Sequence, residues 1–385
     1  MQIMSILTAT CLSRAPLFAF AAEGVFWGAF AALIPEIKTQ IGATDGEFGT
    51  AMLFSAIGAV SAMWLAPKFD ALLGRRAMAA AAALLAISFL FPALTSSFWL
   101  FTVLMVVAGA ASGLLDVVMN ARVSMIESAH NTSLMNLNHA MFSLAYAGAA
   151  LATGIAREAQ IAPWMVFLGI SALVLSVVPL MIQNKTAPSP EAIQQSASHR
   201  VNHVMIWGGM IVLISFMAES ATEGWSALFI ERDLGGRAAQ GALGPAILGL
   251  TMGVGRLAGQ FLAERLKEDI VIKYAATLAA LGTLVAAIAP SPFVAYLGFG
   301  LAGLGVSVVA PMAFSLVGRR FDKNMRAYAI ARVSVLGYFG FFIGPPLMGW
   351  ISEVAGLRAS FISIAVVLGF VPICLFYLNR NARND

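Results

Sequence analysis

Charge is scarce in this chain. Asp, Glu, Lys and Arg make up 11% of its 385 residues, where soluble domains carry about 25%. Cysteine is nearly absent too. Cys11 and Cys374 stand far apart without metal-ligand spacing, which excludes a disulfide framework and leaves two free thiols. There is no phosphate loop, no metal cluster and no Ser/His/Asp set on a plausible soluble scaffold. Soluble enzymology and ATP-driven pumping are therefore not expected, and neither is a cofactor. The net charge of +4 and a pI near 9.2 would suit a nucleic-acid partner. Spread over short loops, that charge fits membrane topology better, and no nucleic acid is expected.

What is present is apolar sequence. Hydrophobic residues make up 60% and mean hydropathy is +0.85. Ala77 to Leu115 contains no charged residue, and Tyr274 to Gly318 repeats that silence 197 positions later. Each run suffices for roughly two membrane crossings at about 20 residues apiece. A short turn breaks each: Pro92 to Ser97 in the first, Pro290-Ser291-Pro292 in the second. The pattern predicts an all-α membrane protein built twice.

Apolar stretches predict twelve helices, at 15–36, 46–66, 77–95, 98–121, 134–156, 160–182, 203–226, 240–263, 270–289, 292–317, 327–351 and 357–378. Residues 1–182 form one six-helix bundle and 203–385 the other. The Pro/Ser/Gln/His stretch at 183–202 reads as a flexible linker. Ala19-Phe20-Ala21 resembles a signal-peptidase site, but apolar sequence runs on to Ile34, so an uncleaved first helix is expected.

Lys and Arg set the orientation. With a cytoplasmic N-terminus, sixteen fall in cytoplasmic segments and five outside, and Arg256 and Arg332 lie within spans. The positive-inside rule then places both termini and the linker in the cytoplasm, as expected for a multi-pass protein of a bacterial inner membrane. A monomer is expected.

The loops repeat as well. WLAPKFDALLGRR follows helix 2, with Asp70, Arg75 and Arg76; GRLAGQFLAERLK follows helix 8, with Glu264 and Arg265 about 194 residues on. An acid followed by basic residues on a tight loop, once per half, resembles the loop signature of the major facilitator superfamily. Together with the twelve-helix repeat, that resemblance implies the fold of two pseudo-symmetric six-helix halves. It assigns the loops a gating role as charge clamps on the cytoplasmic face. The first copy has no Arg directly after Asp70, and the second has Lys267 where Gly is usual.

Ionisable groups at membrane depth cost roughly 2.5–3.5 kcal/mol on insertion scales, so each is a functional candidate. Asp116 and Asn120 are four apart on helix 4, hence on one face, after Gly109 and Gly113 at small-residue spacing. Asn136, His139 and Ser143 form a second polar stripe on helix 5. Two such stripes line a wet cavity or couple protons; alternatively they glue the two helices together. Asp116 and Asn120, then Glu127, then Asn136-Leu137-x-His139-x-x-Phe142-Ser143 are similar to the fucose permease-type branch of the superfamily. GYFGFFIGPPLMGWISE on helix 11 resembles a related, poorly characterised bacterial subgroup. The resemblance implies proton coupling at Asp116. That branch also carries a helix 1 acid four residues before a Pro, where this chain has Ala31 before Pro35.

Glu23 lies mid-helix, four residues before Trp27 on the same face. An acid beside an indole suits a polyol, and Glu23 is a substrate or proton candidate; a carboxyl paired with a neighbouring helix is the bland alternative. Glu219 and Glu223 stand i, i+4 on helix 7, with Glu219 the deeper cavity candidate and Glu223 a gate or solvated residue. Arg332 would hold a substrate anion or an acid, or form a structural ion pair. Arg256 is assigned to the charge clamp, and Pro345-Pro346 to a kink in helix 11.

These readings predict a secondary active transporter using alternating access, with protons as drive and a small polar, sugar-like solute as cargo at a site between the halves. Proton-coupled efflux of amphipathic compounds is the rival. The Gly-Pro signature usual on helix 5 of such antiporters is missing from SLAYAGAALATGIA. A transporter-like sensor or scaffold is a minor alternative, since the tails look too short for an added domain.

Overall fold

The computed structural model describes residues 6–183 and 202–381. Among them every regular element is a helix. After a short helix at Ile6–Leu12 come α1 (Arg14–Gln40), α2 (Asp45–Leu73), α3 (Ala77–Ser88), α4 (Phe98–His130), α5 (Met135–Glu158), α6 (Pro163–Val177), α7 (His203–Leu234), α8 (Ala238–Arg265), α9 (Glu268–Ala287) and α10 (Pro292–Arg319). The last long segment, Lys323–Gly369, is interrupted at Gly356 (φ 83°) into α11 (323–355) and α12 (357–369), and Val371–Asn381 follows. Among the described residues, ten stretches are long and apolar enough to cross a membrane. Two of these, Asp45–Leu94 and Tyr328–Arg380, are about double length and turn back at glycines in the left-handed region, Gly74 (φ 51°) and Gly356. That resolves them into the twelve spans expected. Pro345 and Pro346 stay inside the helix, and the non-helical backbone lies at Gly356, at the boundary expected between the last two spans.

Helix ends follow local chemistry. Asn202 caps α7 by accepting from Val204 N at 3.0 Å, and Gly235 closes it at φ 68°. Glu127 Oε1 accepts from the backbone N–H groups of Leu134 and Met135 (2.8 Å to the latter), so the acid after helix 4 caps the start of α5. The expected linker at 183–202 lies, apart from its end residues, outside the described residues.

Contacts divide the chain into two compact units. One holds α1, α2 from Phe54 onward, and α3 to α6. In it α1 lies on α5 so closely that Cβ atoms at Gly24 and Gly28 would meet Phe142 O at 2.3 Å and Tyr146 O at 2.1 Å. Gly109 and Gly113 bring α4 onto α2 in the same way, against Ser55 O and Ala59 O. Small residues thus do what hydrophobic exclusion does in water.

The second unit holds α7 to α12 together with Ala43–Leu53, the start of α2. That short piece is strongly held. Asp45, buried, accepts from Arg232 Nη1 at 2.8 and 3.0 Å and from Ser352 Oγ, while Arg232 Nη2 donates to Ser352 Oγ at 3.0 Å. Gly46 N donates to Glu353 Oε2 at 2.9 Å, and a Cβ at Gly49 would meet Pro345 O at 2.6 Å. Phe48 sits edge-on to the buried Trp225 at 6.0 Å.

Candidate functional site

In the first unit, three helices bring polar atoms to one place. Glu23 on α1 is 5% exposed. Its Oε1 accepts from Ser112 Oγ on α4 at 2.5 Å, and Trp27 Nε1 donates to the same Ser112 Oγ at 3.1 Å. Glu23 Oε2 is buried without a hydrogen-bond partner. Asp116, one turn beyond Ser112, is the charged neighbour acting on Glu23. Asn120 Nδ2 donates to Asp116 Oδ1 at 2.9 Å and to Asp116 O at 2.8 Å. Ser112, Asp116 and Asn120 are thus one stripe at i, i+4 and i+8, with Glu23 and Trp27 facing it. Trp27 in turn stands edge-on to Phe30 and Phe89, with ring centroids 5.7 and 5.4 Å away.

A buried carboxylate oxygen without a donor is costly. Such an atom suits a proton or a ligand's donor, and a second carboxyl close by adds a reason to accept one. Ser112 was not singled out from the sequence, where it reads as one more small residue between Gly109 and Gly113. Its helical spacing to Asp116 was the available signal.

The helix 5 stripe is arranged differently. α5 packs chiefly on α1 and meets α4 only marginally, which disfavours mutual glue between the two stripes. His139 stacks edge-on with Phe20 at 4.9 Å, Ser143 Oγ donates to the His139 carbonyl at 3.1 Å, and Asn136 is half-buried. The fully buried amide on this helix is Asn138, whose Nδ2 donates to Ser13 Oγ at 2.7 Å and Leu134 O at 2.8 Å.

The second unit carries its own charge cluster. Arg256 Nη2 on α8 donates to Glu219 Oε1 on α7 at 2.9 Å, with the side chains 12% and 11% exposed. Glu223, one turn along α7, is coupled electrostatically to both. Arg256 therefore serves a mid-helix acid instead of the loop clamp expected for it, because α8 turns its side chain toward α7. Arg332 is exposed, its guanidinium 5.0 Å over the ring of Tyr328.

Asp70, the first of the two expected loop acids, is paired by a helix arginine, and a second such pair forms at Glu268, the first residue of α9. Asp70 bonds Arg122 on α4, whose Nη2 also donates to Gly74 O at 3.1 Å. Arg319 on α10 bonds Glu268, which also accepts from Ser315 Oγ at 3.0 Å. Arg122 and Arg319 lie 197 positions apart, the same offset as the two charge-free runs, so the basic partner is repeated, while the acids differ in place: Asp70 is near the end of α2 and Glu268 opens α9. Arg75 Nε donates to Gln183 O at 2.5 Å, and Arg76 and Arg265 are exposed. The side chain of Glu264 lies outside the described residues.

Fold and site together define a multi-pass helical membrane protein with acids buried in both units. The sequence profile of the Major Facilitator Superfamily matches residues 17–300 and 210–385, and the chain belongs to that family as a transporter. An uncharacterized MFS-type transporter of Yersinia pestis is 28% identical, with 91% of each chain covered. Among solved structures, a bacterial homolog of the human lysosomal transporter Spinster, inward-facing and unoccupied, superposes with a TM-score of 0.79 at 13% identity, covering 99% of both chains. The Escherichia coli fucose:proton symporter superposes at 0.61 with 19% identity, covering 97% of this chain and 99% of that one.

Proposed function

We propose that this transporter couples protons to the uptake of a small polar organic solute, sugar-like or related, by alternating access across a bacterial inner membrane. The observation that carries the reading is Glu23, buried with an unpartnered Oε2 and with Asp116 as its charged neighbour. Two carboxyls held this way in an apolar bundle make a place where one proton is gained and lost. Asp116 is the principal coupling carboxylate and Asn120 holds its orientation. Glu23 is the second member, Trp27 offers the aromatic face that favours a polyol, and His139 and Asn136 on α5 complete the polar lining. In the other unit, Glu219 is neutralised by Arg256, which leaves Glu223 to balance the cargo's polarity. Likeness in fold to a fucose:proton symporter supports proton symport over efflux as the mode.

The test has two stages. A thermal-shift screen of the purified protein against sugars, sugar acids, amines and lipophilic drugs finds a ligand. Paired uptake and counterflow in proteoliposomes then compare the wild type with Asp116→Asn. Loss of pH-driven accumulation with counterflow retained supports the reading. A mutant that still accumulates solute under an imposed pH difference overturns Asp116 as the coupling group, and a screen answered only by lipophilic drugs favours efflux.

A further inference from the structure

The hydrogen bonds around Ser112 run in one direction only, and that direction has a consequence for Glu23. An indole N–H donates and never accepts. At 3.1 Å, Trp27 Nε1 therefore occupies a lone pair of the Ser112 oxygen. The single hydroxyl hydrogen of Ser112 is then left for Glu23 Oε1, 2.5 Å away. The reverse arrangement, with a protonated Oε1 donating to Ser112, would give the serine oxygen two donors. Its own hydrogen would then need another acceptor, and the structure records no other acceptor for that hydroxyl among the described residues. The chain reads Trp27 N–H to Ser112 O–H to Glu23 Oε1, and the indole N–H also lies close enough to act on the Glu23 carboxyl directly, while Oε2 keeps no hydrogen-bond partner.

We infer that Ser112 is a positioning residue of the coupling site. It commits Oε1 of Glu23 to accepting, so that the exchangeable proton resides on Oε2. This inference rests on the proposed coupling role of the Glu23 and Asp116 pair, and it adds which atom takes the proton and what holds the carboxyl still. Three facts support it independently of any transport reading. Oε2 is the oxygen without a partner, in a side chain that is 95% buried. Ser112 lies on the same face of α4 as Asp116 and Asn120, the other polar groups of the stripe. Trp27, which orients the hydroxyl, stands edge-on to both Phe30 and Phe89, which are edge-on to each other, so packing on this aromatic cluster restrains its N–H direction. Because the indole and the carboxyl share one hydroxyl, any movement of α1 against α4 shifts both groups together.

Infrared spectroscopy of the full-length protein in liposomes tests this without a known cargo. The carboxylic-acid C=O band of Glu23 is assigned by its loss in Glu23→Gln, at a pH low enough to protonate the group. A hydrogen bond accepted by that C=O lowers its frequency. Ser112→Ala should therefore move the band upward. Ser112→Cys, with a weaker donor of similar size, should move it part of the way. Trp27→Phe keeps a ring but frees the hydroxyl to rotate, and should broaden it. An unmoved band in both Ser112 variants overturns the inference, as does a Glu23→Gln spectrum that has lost no carboxylic band. The band responds to the Ser112 bond whether or not Asp116 couples protons, so failure here and failure of Asp116→Asn in the uptake assay are separate results.

Discussion

Arg256 reaches across from α8 to place its Nη2 2.9 Å from Glu219 Oε1, 37 positions earlier on α7, with Glu223 as a second acid one turn away. One guanidinium among two carboxyls at membrane depth means that the loss of any one member changes the charge left uncompensated. Removing one partner of a buried pair typically costs about 3–5 kcal/mol.

Arg256→Gln should accordingly lower thermal stability strongly, because both acids lose the basic neighbour that the described residues give them. The double variant Glu219→Gln with Arg256→Gln should recover most of that loss. Unfolding temperatures of the two variants in the same detergent decide it. Equal losses in the single and double variants would mean the pair is not the stabilising unit.

A second expectation concerns the start of α2. Arg232 is partly exposed, so its ion pair with Asp45 is screened and counts for less than the geometry suggests. The backbone approach at Gly49 is stricter. Gly49→Ala would push a Cβ to within 2.6 Å of Pro345 O and 3.0 Å of Pro346 Cα, and neither backbone position yields cheaply. Overpacking of this kind costs about 1–3 kcal/mol. Gly49→Ala should therefore destabilise more than Arg232→Gln, measured by thermal unfolding; the opposite order would place the ion pair above the packing.

The two arginine clamps predict a pair of variants to compare. Arg122→Gln frees Asp70 and Gly74 O, and Arg319→Gln frees Glu268. Arg122 is nearly buried whereas Arg319 is mostly exposed, so the first substitution should cost more, about 1.5–3 kcal/mol for a charged hydrogen bond out of water. The second should stay within about 1 kcal/mol. A larger loss at Arg319 in the same unfolding assay would refute this ranking.

Topology gives a fourth. Reporter fusions within 183–202 and after Asp385 should show cytoplasmic activity, on the strength of sixteen basic residues against five. Periplasmic reporter activity at either position would invert the orientation and with it the side on which Asp70 and Glu268 lie.

Much of this protein was legible before any coordinates. Lipid tolerates helices and little else, so a charge-free run announces a span by length alone, and the twelve expected spans each contain a helix at the expected place. Local helical spacing was equally readable. Asp116 and Asn120 share a face because they are four apart, and their side chains do bond. Family membership followed from the same features, since a repeat of apolar spans with paired loop charges is a property of the chain.

Which polar groups meet across helices was decided only by tertiary structure. Periodicity gives the face of a helix but not its neighbour, and a rotation of α8 by one residue, about 100°, would send Arg256 elsewhere. Its pairing with Glu219, the claim of Arg122 on Asp70, and the attachment of the first turns of α2 to the second unit depend on how each helix is rotated about its own axis and on how closely glycines let backbones approach. Ser112 was hidden for the same reason. A small hydroxyl on an apolar helix carries no signal beyond its spacing to Asp116 until packing sets Glu23 and Trp27 against it.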